Sequence, residues 1–274
     1  MKIQKVISIL VIIGMVVFQS CRKDGLFGDN AFVNSSLDLA TQQNLLEINE
    51  SEINDQIENG LQTAQSRTYP VRTWLNTKGT YPNTLIIDYG STGVTGPNGH
   101  IRRGIITVQM SAPLNTTGAV RTVNHTNFYL DDIKIQGTIV LTNVGKNALS
   151  QNVLSRLVTN RKLSFPSGKI IEWEGNQTLT QIEGSLTDKI IADDVWSILG
   201  SSTGVNRAGD SFTVTTVDAL IYKANCPWLV QGKLSLKTNN SIYSIDYGEG
   251  FCNSLAVVTL PDGETKEINL LRWW

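Results

Sequence analysis

Thr138-Ile139-Val140-Leu141 and Phe212-Thr213-Val214-Thr215-Thr216-Val217 decide the fold class of this chain. Both are short runs of apolar and β-branched residues, the composition that suits a pleated, half-buried surface. The same character recurs outward in both directions, in Thr84-Leu85-Ile86-Ile87, Gly104-Ile105-Ile106-Thr107-Val108, Ile133-Lys134-Ile135 and Ala256-Val257-Val258-Thr259-Leu260. Turn-forming clusters separate these runs: Pro97-Asn98-Gly99, Asp131-Asp132, Pro166-Ser167-Gly168, Asp193-Asp194, Ala208-Gly209-Asp210, Asn239-Asn240 and Pro261-Asp262-Gly263. No helical run of useful length lies between them, so hairpins rather than βαβ crossovers connect the strands. The expectation is a mainly β domain over residues 80–274, an antiparallel meander built as a sandwich or as an open or partly closed barrel.

Upstream of that domain the periodicity changes. Leu39, Leu46, Ile53, Ile57, Leu61 and Ala64 fall on one face of a 3.6-residue repeat, with Gln, Asn and Glu on the other. This predicts one N-terminal amphipathic helix over residues 36–66, started by Ser35 with Asp38 three residues later and packed by its apolar stripe on the β-domain. Within the β-region, Ile87-Asp88-Tyr89-Gly90 recurs as Ile245-Asp246-Tyr247-Gly248, and Gly184, Gly200, Gly232 and Gly248 are regularly spaced. Each such glycine is expected at a bend or bulge.

The first 35 residues read as an address. Lys2 and Lys5 precede an apolar run from Val6 to Phe18, followed by Gln19, Ser20 and Cys21. These are the zones of a secretory signal, residues 1–20. Thirteen residues reach about 20 Å as a helix, short of a hydrocarbon core of about 30 Å, so the run is a poor transmembrane span. Phe18-Gln19-Ser20-Cys21 resembles the loose lipobox of Bacteroidota-type lipoproteins. The resemblance implies cleavage before Cys21, lipid on its sulfur, and residues 21–35 as a tether. It places the protein at the outer membrane, lipid-anchored, on its periplasmic or its outer side.

Composition limits the partners. Removing Lys2 and Lys5 leaves 21 Lys+Arg against 24 Asp+Glu, a mature charge near −3. That balance gives no electrostatic footprint for nucleic acid and no polybasic patch for anionic lipid. With Cys21 consumed by lipid, Cys226 and Cys252 remain as an even pair in an oxidising compartment and are expected to form a disulfide. Two cysteines without a nearby histidine cannot complete a zinc site.

The β-region also resembles, over most of residues 80–270, a group of Bacteroidota-type β-rich envelope lipoproteins without an established activity. The likeness rests on the "IDYG" strand ends, on the hairpin Ser202-Thr203-Gly204-Val205-Asn206-Arg207-Ala208-Gly209, and on Asp246-Tyr247-Gly248-Glu249-Gly250-Phe251-Cys252-Asn253. It implies compartment and domain integrity, and no mechanism.

Catalytic constellations are sparse. His100 and His125 stand in no metal-ligand spacing and near no nucleophile elbow, and structural roles are expected for both. Asp131-Asp132 and Asp193-Asp194 are read as turn formers, since strand neighbours point to opposite faces. Asp88 and Asp246 could offer carboxylates to calcium, but closing a strand onto its own turn explains them equally well. Trp173, between two glutamates, is either a sugar-stacking platform or a core residue, the latter favoured. No catalytic residue, metal ligand or cofactor is assigned. The reading is a non-enzymatic, membrane-anchored structural or interaction module. The alternative is a glycan- or lipid-binding lipoprotein, which an apolar cavity under the helix would favour. A hydrolase would need two carboxylates facing one cleft.

Overall fold

The computed structural model describes residues 31–58, 70–96, 99–187 and 190–270, with side chains from Ser35 onward. The signal segment, Cys21 and most of the tether lie outside the described residues, as do Leu61, Ala64, Trp273 and Trp274.

Among the described residues one α-helix, α1 (Ala31–Glu58), precedes fourteen strands. These are β1 (Val71–Trp74), β2 (Asn83–Asp88), β3 (Val94–Thr95), β4 (Ile101–Met110), β5 (Val120–Leu130), β6 (Ile133–Lys146), β7 (Asn152–Ser164), β8 (Ile170–Glu183), β9 (Val195–Val205), β10 (Ser211–Lys223), β11 (Leu229–Thr238), β12 (Ser241–Glu249), β13 (Leu255–Thr259) and β14 (Thr265–Asn269). Each pairs antiparallel with its neighbour in sequence, except that β2 bonds β4 and the short β3 hangs on β4. The meander is therefore as expected, and it forms a single open sheet rather than a two-sheet sandwich. Its first strand is β1, so the domain begins ahead of residue 80.

Inward-facing residues alternate along the strands, as in Leu85, Ile87 on β2 and Leu154, Arg156, Val158 on β7. They join the apolar side chains of α1 in one core. Curvature comes from bulges. Gly104 on β4 opposes Asn127 on β5, and Gly137 on β6 opposes Asn160 on β7; all four have positive φ, and the register slips beside each pair. A Cβ on Gly104 would lie 2.0 Å from the Asn127 carbonyl oxygen, and one on Gly137 2.6 Å from that of Asn160. Only glycine admits this approach, and each bulge bends its strand and adds twist.

The helix departs from expectation in its surroundings. It begins at Ala31, so residues 31–35 belong to it rather than to a tether, and Ser35 and Asp38 sit inside it rather than capping it. More consequentially, every residue from Ser35 to Glu50 is buried, the Gln, Asn and Glu face included. An amphipathic helix lying on a sheet would leave that face in water. Here polar side chains of α1 meet partners on β4, β5, β7, β8 and the β9–β10 turn, so the sheet curls round the helix. Ser35 accepts from Asn206 (2.9 Å), and Asp38 binds Arg207 through its Nε (2.6 Å) and backbone N–H (3.1 Å). Desolvation nevertheless raises the Asp38 pKa above its ordinary value, against the opposing charge of Arg207.

Because the meander alternates direction, its connections fall at two ends. The β9–β10 turn, which holds the start of α1, lies at one end. The β1–β2, β4–β5, β8–β9, β10–β11 and β12–β13 connections lie at the other, where α1 finishes.

Candidate functional site

A cavity of about 440 Å³ opens at the second end, between the C-terminal half of α1 and the sheet. That volume lies within the range of small-molecule sites. Its sheet wall is largely apolar, with Met110 on β4, Leu141 on β6, Leu154 on β7 and Leu179 on β8, Trp196 and Tyr222 beside them, and Leu114 and Tyr81 from the end loops. Its helix wall is polar, carrying Glu47, Glu50, Ser51 and Asn54 one turn apart, with Arg121 facing them from β5.

Guanidinium groups fix the helix carboxylates. Arg156, wholly buried on β7, donates to both oxygens of Glu47, through Nη1 at 3.0 Å and through Nη2. Its Nε donates to Gln177 (2.8 Å), Gln177 to Gln43 (2.8 Å), and Gln43 to Glu47 (2.5 Å), which closes a ring of hydrogen bonds. Arg121 forms an ion pair with Glu50 and donates to Asn54 (2.7 Å); burial pushes its pKa down to about 9. Arg102 lies 3.5 Å from Glu52, which also accepts from Tyr89 (3.0 Å). Oε2 of Glu50 and Nε of Arg121, both without exposed surface, have no hydrogen-bond partner among the described residues. On the opposite side Asp194 accepts from Gln181 (2.9 Å), whose oxygen accepts from Asn152 (2.9 Å). Burial raises the Tyr222 pKa, a hydrogen bond with Ser51 opposing it.

Most of the site candidates read from the sequence fall elsewhere. Asp194 lines the cavity, while its neighbour Asp193 belongs to a single 3-10 turn and accepts from Thr187 (2.7 Å). Cys226 and Cys252 are disulfide-bonded, with Cα atoms 5.8 Å apart, and join the β10–β11 and β12–β13 connections at the cavity end. Asp88 and Asp246 each accept the N–H two residues on, from Gly90 (2.8 Å) and Gly248 (2.9 Å), so the repeated motif closes its own turn. Asp131 and Asp132 form a turn with φ positive at both residues; Asp131 also binds His100 Nδ1 and the Ile101 N–H (2.9 Å), tying two hairpins together. Among the described residues no group of three or more His, Cys, Asp or Glu could hold a metal ion.

His125 and Trp173 belong to the interior. Trp173 is buried, with the Arg161 guanidinium 5.8 Å above its ring, so it offers no sugar platform. His125 lies between Asn49 Nδ2 (3.1 Å) and Arg161 Nη1 (3.3 Å). Desolvation first, and the Arg161 charge second, hold its pKa well below the ordinary value.

The cavity wall itself was not foreseen, although a signal existed. Arg102, Arg121, Arg156 and Arg161 occupy inward positions of strands, where a sheet resting on an apolar stripe would carry none. The first three pair with Glu52, Glu50 and Glu47 of α1, whereas Arg161 lies against His125 and Trp173. No family model, curated protein or solved structure matches this chain.

Proposed function

We propose that this protein is an envelope lipoprotein, anchored through lipid on Cys21, whose β-domain binds a small amphipathic ligand beside the enclosed helix. The cavity carries this reading: it is concave, mostly apolar, and furnished with a few placed polar groups, the anatomy of a ligand site. It favours the glycan- or lipid-binding alternative over a purely structural module. A hydrolytic role fits less well, because Glu47 and Glu50, the carboxylates on the helix wall, are engaged by Arg156 and Arg121. The lipobox resemblance and the near-neutral charge support attachment by acyl chains, which at about 0.8 kcal/mol per buried methylene hold a protein stably when more than one is present.

Two experiments test the two halves. Cys21→Ser should move the protein from the membrane fraction to the soluble fraction, and its persistence in membranes would exclude the anchor. Native mass spectrometry of that soluble form should show a bound small molecule, absent from Leu114→Trp, which crowds the cavity. Identical ligand-free masses for both forms would return the protein to the structural-module reading.

A further inference from the structure

Among the described residues, the exposed large apolar side chains carried by connections all stand at one end of the sheet, around the cavity mouth. We infer that this rim docks on a lipid bilayer of zwitterionic character, its apolar loop tips entering the acyl boundary and an aromatic belt behind them lying at the headgroups. The inference goes beyond the ligand reading and holds whether or not the cavity is filled.

The tips come first. Leu75 (63% exposed) lies on the β1–β2 connection, Leu149 (77%) on β6–β7, Leu186 (97%) and Ile190 (54%) on β8–β9, and Phe251 (74%) on β12–β13. All four connections are at the cavity end. At the opposite end the turns Asp131-Asp132, Pro166-Ser167-Gly168, Ala208-Gly209-Asp210, Asn239-Asn240 and Pro261-Asp262-Gly263 carry none. Exposed apolar residues near those turns, such as Ile170 and Ile242, belong to strands and face outward, because Ile171 and Tyr243 beside them are buried. Isolated apolar residues scattered over a surface are ordinary, whereas their gathering at one end marks a contact.

The aromatic residues say what is contacted. Of the four tryptophans among the described residues Trp173 is buried in the core, while Trp74, Trp196 and Trp228 are partly exposed and all at the cavity end. Trp74 closes β1, Trp196 follows the β8–β9 connection and Trp228 precedes β11; Tyr81 joins them from the β1–β2 connection. Such rings, apolar in body and polar at one edge, favour the headgroup layer, and leucine and phenylalanine ahead of them suit the acyl boundary beneath. Carried on separate loops around an open mouth, the tips form a fringe, unlike the continuous, closely packed core of a protein interface. A mature charge near −3 offers no attraction to anionic lipid, so insertion rather than charge drives the contact. Since α1 starts at the opposite end, the bilayer met by the rim is a second one, facing any that holds lipid on Cys21.

The test uses the soluble Cys21→Ser protein with phosphatidylcholine vesicles, followed by co-sedimentation. The protein should sediment with them, and combining Leu149→Ser, Leu186→Ser and Phe251→Ser should lower its partitioning at least about tenfold, since each substitution removes apolar area that would enter the lipid. Ile242→Ser, at the opposite end, should leave it unchanged. Should the triple variant not fold, an environment-sensitive fluorophore on Leu186→Cys should brighten severalfold with vesicles, while one on Ala208→Cys should not respond. No sedimentation, an undiminished triple variant, or equal responses from the two fluorophores overturns the inference. Binding confined to anionic vesicles and abolished by salt also overturns it, by making charge the attraction. Self-association of the parent protein that the triple variant abolishes, without vesicle binding, would give the rim to a second copy of the chain and overturn it too. None of these results bears on whether a small molecule fills the cavity, which native mass spectrometry decides separately.

Discussion

At the scale of single residues, Arg161 and His125 set a pH dependence. Arg161 is 1% exposed and, among the described residues, no carboxylate pairs with it; burial lowers its pKa to about 9. Its Nη1 lies 3.3 Å from His125 Nδ1, which also faces the Gly137 carbonyl oxygen at 3.3 Å, while His125 Nε2 faces Asn49 Nδ2 at 3.1 Å. The folded-state pKa of His125 lies below its unfolded value near 6.5. Between the two values the unfolded chain holds a proton that the folded chain lacks. Stability is therefore whole above about 6.5 and falls with decreasing pH, by about 1.4 kcal/mol per unit, until the folded pKa is reached. Asp38, with its raised pKa, acts in the opposite sense above 3.8, so the two are separated by comparing wild type with His125→Gln in thermal melts from pH 7.5 to 5. The variant should flatten the decline, and parallel curves would exclude His125 as its origin. Arg161→Met should raise stability by about 1 kcal/mol and move the His125 titration, followed by NMR, toward 6.5. The two tyrosines of the repeated motif make a matched pair. The Tyr89 hydroxyl donates to Glu52, whereas the buried Tyr247 hydroxyl has no partner among the described residues. Tyr89→Phe should cost about 1 kcal/mol in urea unfolding, and Tyr247→Phe should be neutral or stabilising. Equal losses would contradict this assignment of partners.

At the scale of elements, α1 is held by charge as much as by apolar contact. Glu47→Leu leaves Arg156 buried and uncompensated and should cost about 3–5 kcal/mol, whereas Glu47→Leu combined with Arg156→Met should recover most of that loss. A double variant no more stable than the single one would show that the ring through Gln43 and Gln177 is not what the substitution breaks. Strand character was legible because alternation and turn residues are local: Thr138-Ile139-Val140-Leu141 lies within β6, and Asn239-Asn240 forms the β11–β12 turn with φ of 50° and 63°. The disulfide was legible from parity alone. The surroundings of α1 were not, because periodicity locates a stripe but cannot report what meets the other face. Glu47 and Arg156 lie 109 residues apart, and only the curvature produced at bulges such as Gly104 against Asn127 brings strands round to close on the helix. The same long-range closure makes the cavity, which is why Asp194 read as a turn former and Arg121 drew no notice. The Cys226–Cys252 bond, spanning 26 residues, should contribute about 3 kcal/mol, measured by unfolding the Cys226→Ser, Cys252→Ser double variant.

At the scale of the whole molecule, polarity along α1 orients the site. The helix starts beside Asn206 and Arg207 at one end of the sheet and finishes at Glu58, a cavity-lining residue at the other; its 28 residues span about 42 Å. If Cys21 carries the lipid, nine residues separate it from Ala31, and nine residues extend at most about 32 Å. That reach is shorter than the helix, so on this reading a domain standing inverted on the bilayer is excluded, and the expected orientation has the β9–β10 turn nearer the bilayer than the cavity mouth, with Leu114 and Tyr81. On the proposed reading, that orientation would let a ligand enter from the aqueous space rather than from the membrane that anchors the protein. Native cysteines offer no reporter at the mouth, so the position is read from a fluorophore placed by Leu149→Cys, an exposed residue of the β6–β7 connection at the cavity end, and by Ala208→Cys at the opposite end. With the lipidated protein in vesicles containing nitroxide-labelled headgroups, the fluorophore at 208 should be quenched severalfold more than the one at 149. The reverse ranking would turn the mouth toward the bilayer and make extraction of a membrane lipid the reaction to examine, whereas equal quenching would mean that the domain lies on its side.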